Sequence, residues 1–282
     1  MKTNLSAIDL TGHPFATVVC LHASGSSSRQ WNALIERVGH QARVIALDFY
    51  GHGEAPTWNQ ARALTLRDEA SRVMRVLTGS SRPIHLVGHS YGGAVALHIA
   101  FELPERVASL TLYEPVPFAT LFAYDARNPA AAEVRTLADG IDRSLRNGFI
   151  EAAAERFVTY WSGNDAWQRL SGLQRTTIAS RMPAIDRHFK ALAADTTTLK
   201  DYQQLRMPVL LMAGTRTRAS TRRLTELLAY GLPASDVEMF DGLDHMGPVT
   251  APEIVNGRIE TFIARQASSA MESDPYLSSA AA

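Results

Sequence analysis

Short apolar runs alternate along this chain with longer segments in which apolar residues recur every three or four positions. Residues 16–21 (ATVVCL) are a β-branched run that ends at a polar, Gly-containing loop, and they read as a buried strand. In residues 29–38, Trp31, Leu34, Ile35 and Val38 have helical spacing, and 43–47 is the next buried strand. Thr65 can cap a helix: Asp68 stands three residues on, and Ala70, Val73, Met74 and Leu77 share one face. A strand at 83–87, a helix at 94–103 stopped by Pro104 and a strand at 107–112 follow. This alternation predicts an α/β fold, with a mostly parallel sheet covered by helices on both faces.

The alternation then stops. From about 118 to 202 the pattern is helical, clearest at 130–145 and 149–161, with a third segment at 176–192 interrupted by Pro183. It resumes with a strand at 209–213, a helix at 221–230, a strand at 237–240 and a helix at 252–264. Four parts are expected. The α/β core occupies 1–117 and 204–266. An all-helical lid over one end of the sheet is inserted at 118–203. Residues 267–282, rich in Ser and Ala, form a disordered tail.

Composition narrows the partners. The 282 residues are 46% hydrophobic, enough for a full core. Basic and acidic residues balance at 28 each, so no electrostatic stripe points to nucleic acid or an anionic membrane. The apolar runs are too short to span a bilayer, and the N-terminus lacks an apolar h-region and an A-x-A site. A cytoplasmic protein acting on a small molecule is expected. The single cysteine, Cys20, sits inside an apolar run and reads as a buried hydrophobe.

The candidate chemistry centres on Gly88-His89-Ser90-Tyr91-Gly92, a G-x-S-x-G match between the strand IHLV and the helix AVALHIAFEL. A strand turning directly into a helix strains the residue at the bend. Gly88, Gly92, Gly93 and Ala94 supply the steric room. The bend would raise the Ser90 hydroxyl at a helix N-terminus, where exposed N–H groups favour negative charge. The bland alternative is a strand-to-helix turn with a capping serine. A serine nucleophile needs a base. Among nine histidines, His245 follows the last predicted strand and reaches the same face of the sheet as Ser90. His22 is expected to pack beneath its own loop and His89 to point away from Ser90. His13, His40, His52, His98 and His188 have no matching context. Two N–H donors for an oxyanion are expected from Tyr91 and Ser24, with Ala23 as the rival of Ser24.

The segments LHASGSS, LDFYGHGEAP, LVGHSYGGAVAL, PERVASLTLYEP, MPVLLMAG and GLDHMGPVTAPE, in this order, resemble the α/β-hydrolase family, in its lidded branch of esterases, carbon–carbon bond hydrolases and dehalogenases. The resemblance implies a sheet of about eight strands, a nucleophile-acid-histidine triad and a two-step acyl-enzyme mechanism using water. It implies no cofactor and no metal, and a pocket shaped by the lid. Asp48 resembles the structural Asp of the family's D-x-x-G-H-G turn. Three departures stand out. The usual HG is His22-Ala23. The usual Gly before the histidine is Asp244. The Asp commonly found after the strand VLLMAG is missing, and Thr217 stands about where it would be. Glu114, which ends the strand SLTLY, is the candidate acid, and certain haloalkane dehalogenases resemble this arrangement. Its alternatives are a solvated strand-end residue and an acid at Asp244.

The reading that follows is a serine hydrolase cleaving an ester-type bond of a small or medium uncharged substrate, with Ser90, His245 and Glu114 as triad. The alternatives are carbon–carbon bond hydrolysis of a ring-fission product, and a silent ligand-binding or sensing homologue. Ser90 stands where dehalogenases and epoxide hydrolases carry Asp, which disfavours those reactions. Arg216, Arg218, Arg222 and Arg223 are either a solvated run or an anchor for a carboxylate-bearing substrate. Trp161 and Trp167 either line the pocket or belong to the core.

Overall fold

The computed structural model describes residues 16–77 and 83–273. The chain enters at β1 (Thr17–Leu21), makes a 3-10 turn and α1 (Asn32–Val38), and returns as β2 (Arg43–Leu47). Then come α2 (Leu66–Val76), β3 (Ile84–His89), α3 (Tyr91–Glu102) and β4 (Val107–Tyr113). Six helices are inserted after β4: α4 (Phe118–Tyr124), α5 (Pro129–Arg146), α6 (Ile150–Ser162), α7 (Ala166–Arg169), α8 (Gly172–Ala194) and α9 (Leu199–Tyr202). The alternation ends with β5 (Val209–Gly214), α10 (Ala219–Gly231), β6 (Ser235–Phe240), α11 (Gly247–Thr250) and α12 (Pro252–Ser273).

The strands form one parallel sheet in the order β2-β1-β3-β4-β5-β6. It has six strands among the described residues, not the expected eight. The six coincide with the six strands expected from the sequence, of which β6 (SDVEMF) is partly polar and largely exposed; the larger number came only with the family resemblance. Period-2 alternation divides the core. Val18, Cys20, Val44, Ala46, Leu210 and Met212 face α1 and α12, whereas Val19, Leu21, Ile45, Leu47, Val209 and Leu211 face α2, α3 and α10. The Val, Leu, Ile and Met side chains among them each contribute about 1.5–3 kcal/mol by leaving water. Cys20 is fully buried, which pushes its thiol pKa well up and keeps it protonated.

Local signals act where the sequence places them. Thr65 and Asp68 form a reciprocal capping box that starts α2. Pro183 does not interrupt its segment: α8 runs unbroken through it. The lost backbone bond is outweighed by the burial of Met182, Ile185, Phe189 and Leu192 on the same helix. The last helix also continues to Ser273, into the segment expected as tail, while 274–282 lie outside the described residues. No described helix is long and apolar enough to cross a membrane.

Topology locates the site. From β1 the chain moves to one side for β2, then crosses back to the other side for β3. The loops leaving β1 and β3 therefore diverge and open a crevice at the carboxyl ends of the strands. The loop with Ser24 leaves β1, and Ser90 leaves β3.

Candidate active site

Ser90 adopts φ 56° and ψ −116°, a left-handed conformation that a side chain rarely takes. The bend is held by Ser90 N–H donating to the Tyr113 carbonyl at 3.0 Å, and by Ala94 N–H donating to the Ser90 carbonyl at 3.1 Å. Its tightness explains the glycines: a Cβ at Gly92 would lie 2.2 Å from the Leu21 carbonyl oxygen, and one at Gly88 would lie 2.6 Å from the Gly92 carbonyl.

Ser90 Oγ lies 2.9 Å from His245 Nε2, and His245 Nδ1 lies 2.8 Å from Glu114 Oε2. Glu114 is fully buried, so it is not a solvated strand-end residue. It too has a positive φ, 41°, which turns the chain off β4. Its Oε1 accepts from Gly214 N–H at 2.9 Å, and its Oε2 also accepts from the Thr217 hydroxyl at 2.5 Å. Thr217, where the family's usual Asp is missing, thus donates to an acid supplied by a different strand. Thr221 contacts Thr217 in turn, at 2.5 Å. Because donors converge on both Glu114 oxygens, the ring proton belongs on Nδ1, which leaves Nε2 to accept from Ser90. Asp244 turns away: its Oδ1 accepts from Met246 N–H at 2.9 Å in its own turn.

Neighbouring groups fix the imidazole. Trp161 stacks on it, with ring centroids 4.0 Å apart. His89 lies behind and donates through Nε2 to the His245 carbonyl at 2.8 Å. Burial, then the neighbouring His245, hold the His89 pKa well below the ordinary histidine value. His89 Nδ1 accepts from Gln30 Nε2 at 3.1 Å, and Gln30 Oε1 accepts from Ala23 N–H at 3.2 Å. The loops carrying Ala23 and His245 are thereby tied together.

That bond occupies the Ala23 amide. The Ser24 amide makes no hydrogen bond among the described residues, and Tyr91 is the first residue of α3, where an N–H lacks an intrahelical partner. Those two amides are available to a developing oxyanion. His22 lies beneath the loop, donating from Nδ1 to the Ala23 carbonyl at 2.7 Å and accepting from Phe49 N–H at 3.1 Å. Burial lowers its pKa to about 4, so it is neutral. Asp48 accepts from the amides of Ser28 and Glu54, at 2.6 and 2.9 Å, and holds the following turn.

Ser24, Ser90 and His245 border a cavity of about 240 Å³. Its other walls are mainly apolar, among them Phe118, Phe157, Trp161, Ile178, Phe189 and Leu192, and no Arg or Lys among the described residues lines it. Trp161 is a pocket residue. Trp167 is not: it is buried under Arg175 and borders a separate cleft. The arginine run is mostly engaged elsewhere. Arg218 donates to the carbonyls of Tyr160 and Thr159, Arg222 to that of Thr215, and Arg223 pairs with Asp125 and Glu226. Arg216 and Arg218 border an adjoining cleft that also reaches Asp244, Trp161 and His245.

The sequence reading passed over His188. This buried residue of α8 lies 2.7 Å from Ser24 Oγ through Nδ1 and stacks on Tyr91 at 3.7 Å between ring centroids. The available signal was a histidine on an apolar helix face, among Ala184, Ile185, Phe189 and Leu192.

Comparison with known proteins agrees with this architecture. The profile of the alpha/beta hydrolase family matches residues 18–258. The chain is 25% identical over 252 residues to the (E)-2-((N-methylformamido)methylene)succinate hydrolase of Acinetobacter baylyi, covering 87% of this chain and 89% of that protein. Among solved structures, MGS-M2, an alpha/beta hydrolase enzyme from a Medee basin deep-sea metagenome library, superposes with a TM-score of 0.77 at 16% identity, covering 92% of this chain and 93% of that one. A thermophilic esterase from Thermogutta terrifontis superposes with a TM-score of 0.71 at 21% identity, covering 94% and 99%. With its switch-point crevice, its serine at a strained strand-to-helix bend and this match across most of its length, the chain belongs to the alpha/beta hydrolase family.

Proposed function

We propose that the protein is a carboxylic ester hydrolase working through an acyl-enzyme on Ser90, with a Ser90-His245-Glu114 triad. The observation that carries this is the continuous pair of contacts, Ser90 Oγ to His245 Nε2 and His245 Nδ1 to Glu114, at the wall of an apolar cavity. Ser90 Oγ attacks the ester carbonyl while His245 Nε2 takes its proton, and Glu114 stabilises the resulting imidazolium. The tetrahedral oxyanion is held by the Tyr91 and Ser24 amides. The intermediate collapses as His245 returns the proton to the leaving alcohol. A water, deprotonated by the same ring, then releases the acid and restores Ser90. The inserted helices α4–α9 act as the lid, since Phe157, Trp161, Ile178 and Phe189 come from them.

The walls support an uncharged acyl group. A carboxylate-bearing substrate, such as the Acinetobacter relative's name describes, would need a cation to offset its desolvation, and among the described residues none lines this cavity. The pocket is also smaller than drug-sized sites, which run from about 300 Å³, so short and medium acyl chains are favoured. A series of p-nitrophenyl esters of increasing chain length tests this, run beside a hemisuccinate ester of p-nitrophenol. Turnover is expected on uncharged short-to-medium esters. A preference for the hemisuccinate would overturn the substrate assignment. Ligand-dependent thermal shifts with neither turnover nor Ser90 labelling would indicate a silent binding homologue.

A further inference from the structure

His188 belongs to the inserted helices, not to the α/β core, yet it touches both residues that supply the oxyanion amides. Its Nδ1 lies 2.7 Å from Ser24 Oγ, and its ring lies flat on Tyr91 with an interplanar angle of 4°. On the opposite face it stacks on His52, with centroids 4.7 Å apart. Held between two rings, the imidazole cannot turn freely, so one nitrogen faces Ser24 and the other faces Glu69. His188 Nε2 is buried without a hydrogen-bond partner and lies 3.8 Å from Glu69 Oε1, both side chains being fully buried.

We propose that the Ser24 hydroxyl is a third donor to the oxyanion, aimed into the pocket by His188 acting as a positioning residue. This rests on the acyl-hydrolase reading above. Burial, then His52 and His22, hold the His188 pKa well below the ordinary value, so the ring is neutral and carries a single N–H. Burial raises the Glu69 carboxyl to about 8, so near neutral pH no anion sits beside Nε2 to keep the ring proton there. The proton then belongs on Nδ1, which donates to Ser24 Oγ. With its oxygen accepting from the ring, Ser24 keeps its own proton free, and both Ser24 and Ser90 border the cavity. A hydroxyl donor that is already oriented costs no reorganisation when the oxyanion forms.

The rate at which a fluorophosphonate labels Ser90 reads this directly, because the phosphonyl oxygen occupies the oxyanion position and no natural substrate is needed. The comparison uses the full-length wild type, Ser24→Ala, Ser24→Thr, His188→Phe and the Ser24→Ala/His188→Phe double variant, each with its thermal unfolding. Removing one oxyanion donor typically costs about 10²- to 10³-fold. Ser24→Ala keeps the backbone amide and is expected to label on the order of 10²-fold more slowly, while Ser24→Thr retains most of the rate. His188→Phe keeps the stack on Tyr91 and is expected to resemble Ser24→Ala, with the double variant little slower than either. Labelling of Ser24→Ala within about threefold of wild type overturns the proposal. So does a slow Ser24→Ala that threonine does not restore and that unfolds at a clearly lower temperature, because the hydroxyl would then only be supporting the loop. If His188→Phe does not fold, the Ser24 pair still decides. No labelling of the wild type at all would instead refute the acyl-hydrolase reading.

Discussion

Glu114→Gln separates a triad from a serine–histidine pair, and the structure dictates how the amide must fail. Glu114 sits fully buried among donors: Gly214 N–H on Oε1, and His245 Nδ1 with the Thr217 hydroxyl on Oε2. Glutamine has one accepting oxygen and one donating NH₂. If its oxygen faces Gly214, the NH₂ meets His245 Nδ1 and selects the tautomer with the proton on Nε2, which cannot accept from Ser90. If its oxygen faces His245, the NH₂ opposes Gly214 N–H, leaving a buried donor unsatisfied at a cost of about 1–3 kcal/mol. Pushing the ring into its wrong tautomer at that cost corresponds to about 5- to 150-fold in rate, at about 1.4 kcal/mol per tenfold. Loss of the charge facing the imidazolium adds to it; the matching Asp-to-Asn change in a serine protease costs about 10⁴. A fall in kcat of about 10² to 10⁴ is expected, with KM changed less than about threefold, measured by steady-state hydrolysis of a p-nitrophenyl ester and with thermal unfolding as the fold control. Asp244→Asn is expected to lose less than about tenfold, since among the described residues the Asp244 carboxylate accepts only from Met246 N–H in its own turn. A folded Glu114→Gln variant within about tenfold of wild type, or a critical Asp244, would refute the reasoning.

Thr217→Val removes one donor from Glu114 but leaves the His245 contact, so kcat is expected to fall about 3- to 10-fold, with a stability loss of about 1.5–3 kcal/mol for a hydrogen bond to a charged group; a kcat loss as large as that of Glu114→Gln would mean Thr217 does more than hold the carboxylate. Glu69→Gln is expected to change the pH dependence of stability. The folded Glu69 pKa, about 8, exceeds the ordinary value of 4.5, so between these values the unfolded chain has released a proton that the folded chain retains. Stability then falls as pH rises through that window, by up to about 1.4 kcal/mol per unit, and the variant lacks this slope. Denaturant unfolding at pH 5 and pH 8 is expected to show the variant gaining on wild type at the higher pH, and a constant difference would contradict the assignment.

The core was legible because its signal is local. The inner strands are short, largely apolar runs, and the Ser90 bend is marked by small residues on both sides of one serine. Glu114 was within reach because a strand end followed by Pro115 points into the same crevice, although its partners Gly214 and Thr217 lie at the end of β5 and just beyond it. What depends on packing between distant segments was not legible. His188 gains its place only when α8 lies across Tyr91 and Ser24. Pro183 reads as a helix break, because the sequence does not show the burial that carries α8 through it. The arginines after β5 look free in a linear reading, yet Arg218 and Arg223 bind α6 and the loop after α4. The pocket's apolar walls come from separate helices whose faces could be assigned, but not which of them meet at Ser90.

The central claim is that Ser90 is a nucleophile activated by His245. Intact-mass and peptide-level mass spectrometry after exposure to a fluorophosphonate tests it most directly, in wild type, Ser90→Ala and His245→Ala. One adduct per wild-type chain is expected, mapped to Ser90, with none in Ser90→Ala and labelling slowed by orders of magnitude in His245→Ala. A folded wild-type protein that takes up no label, or one labelled at another residue, would contradict it.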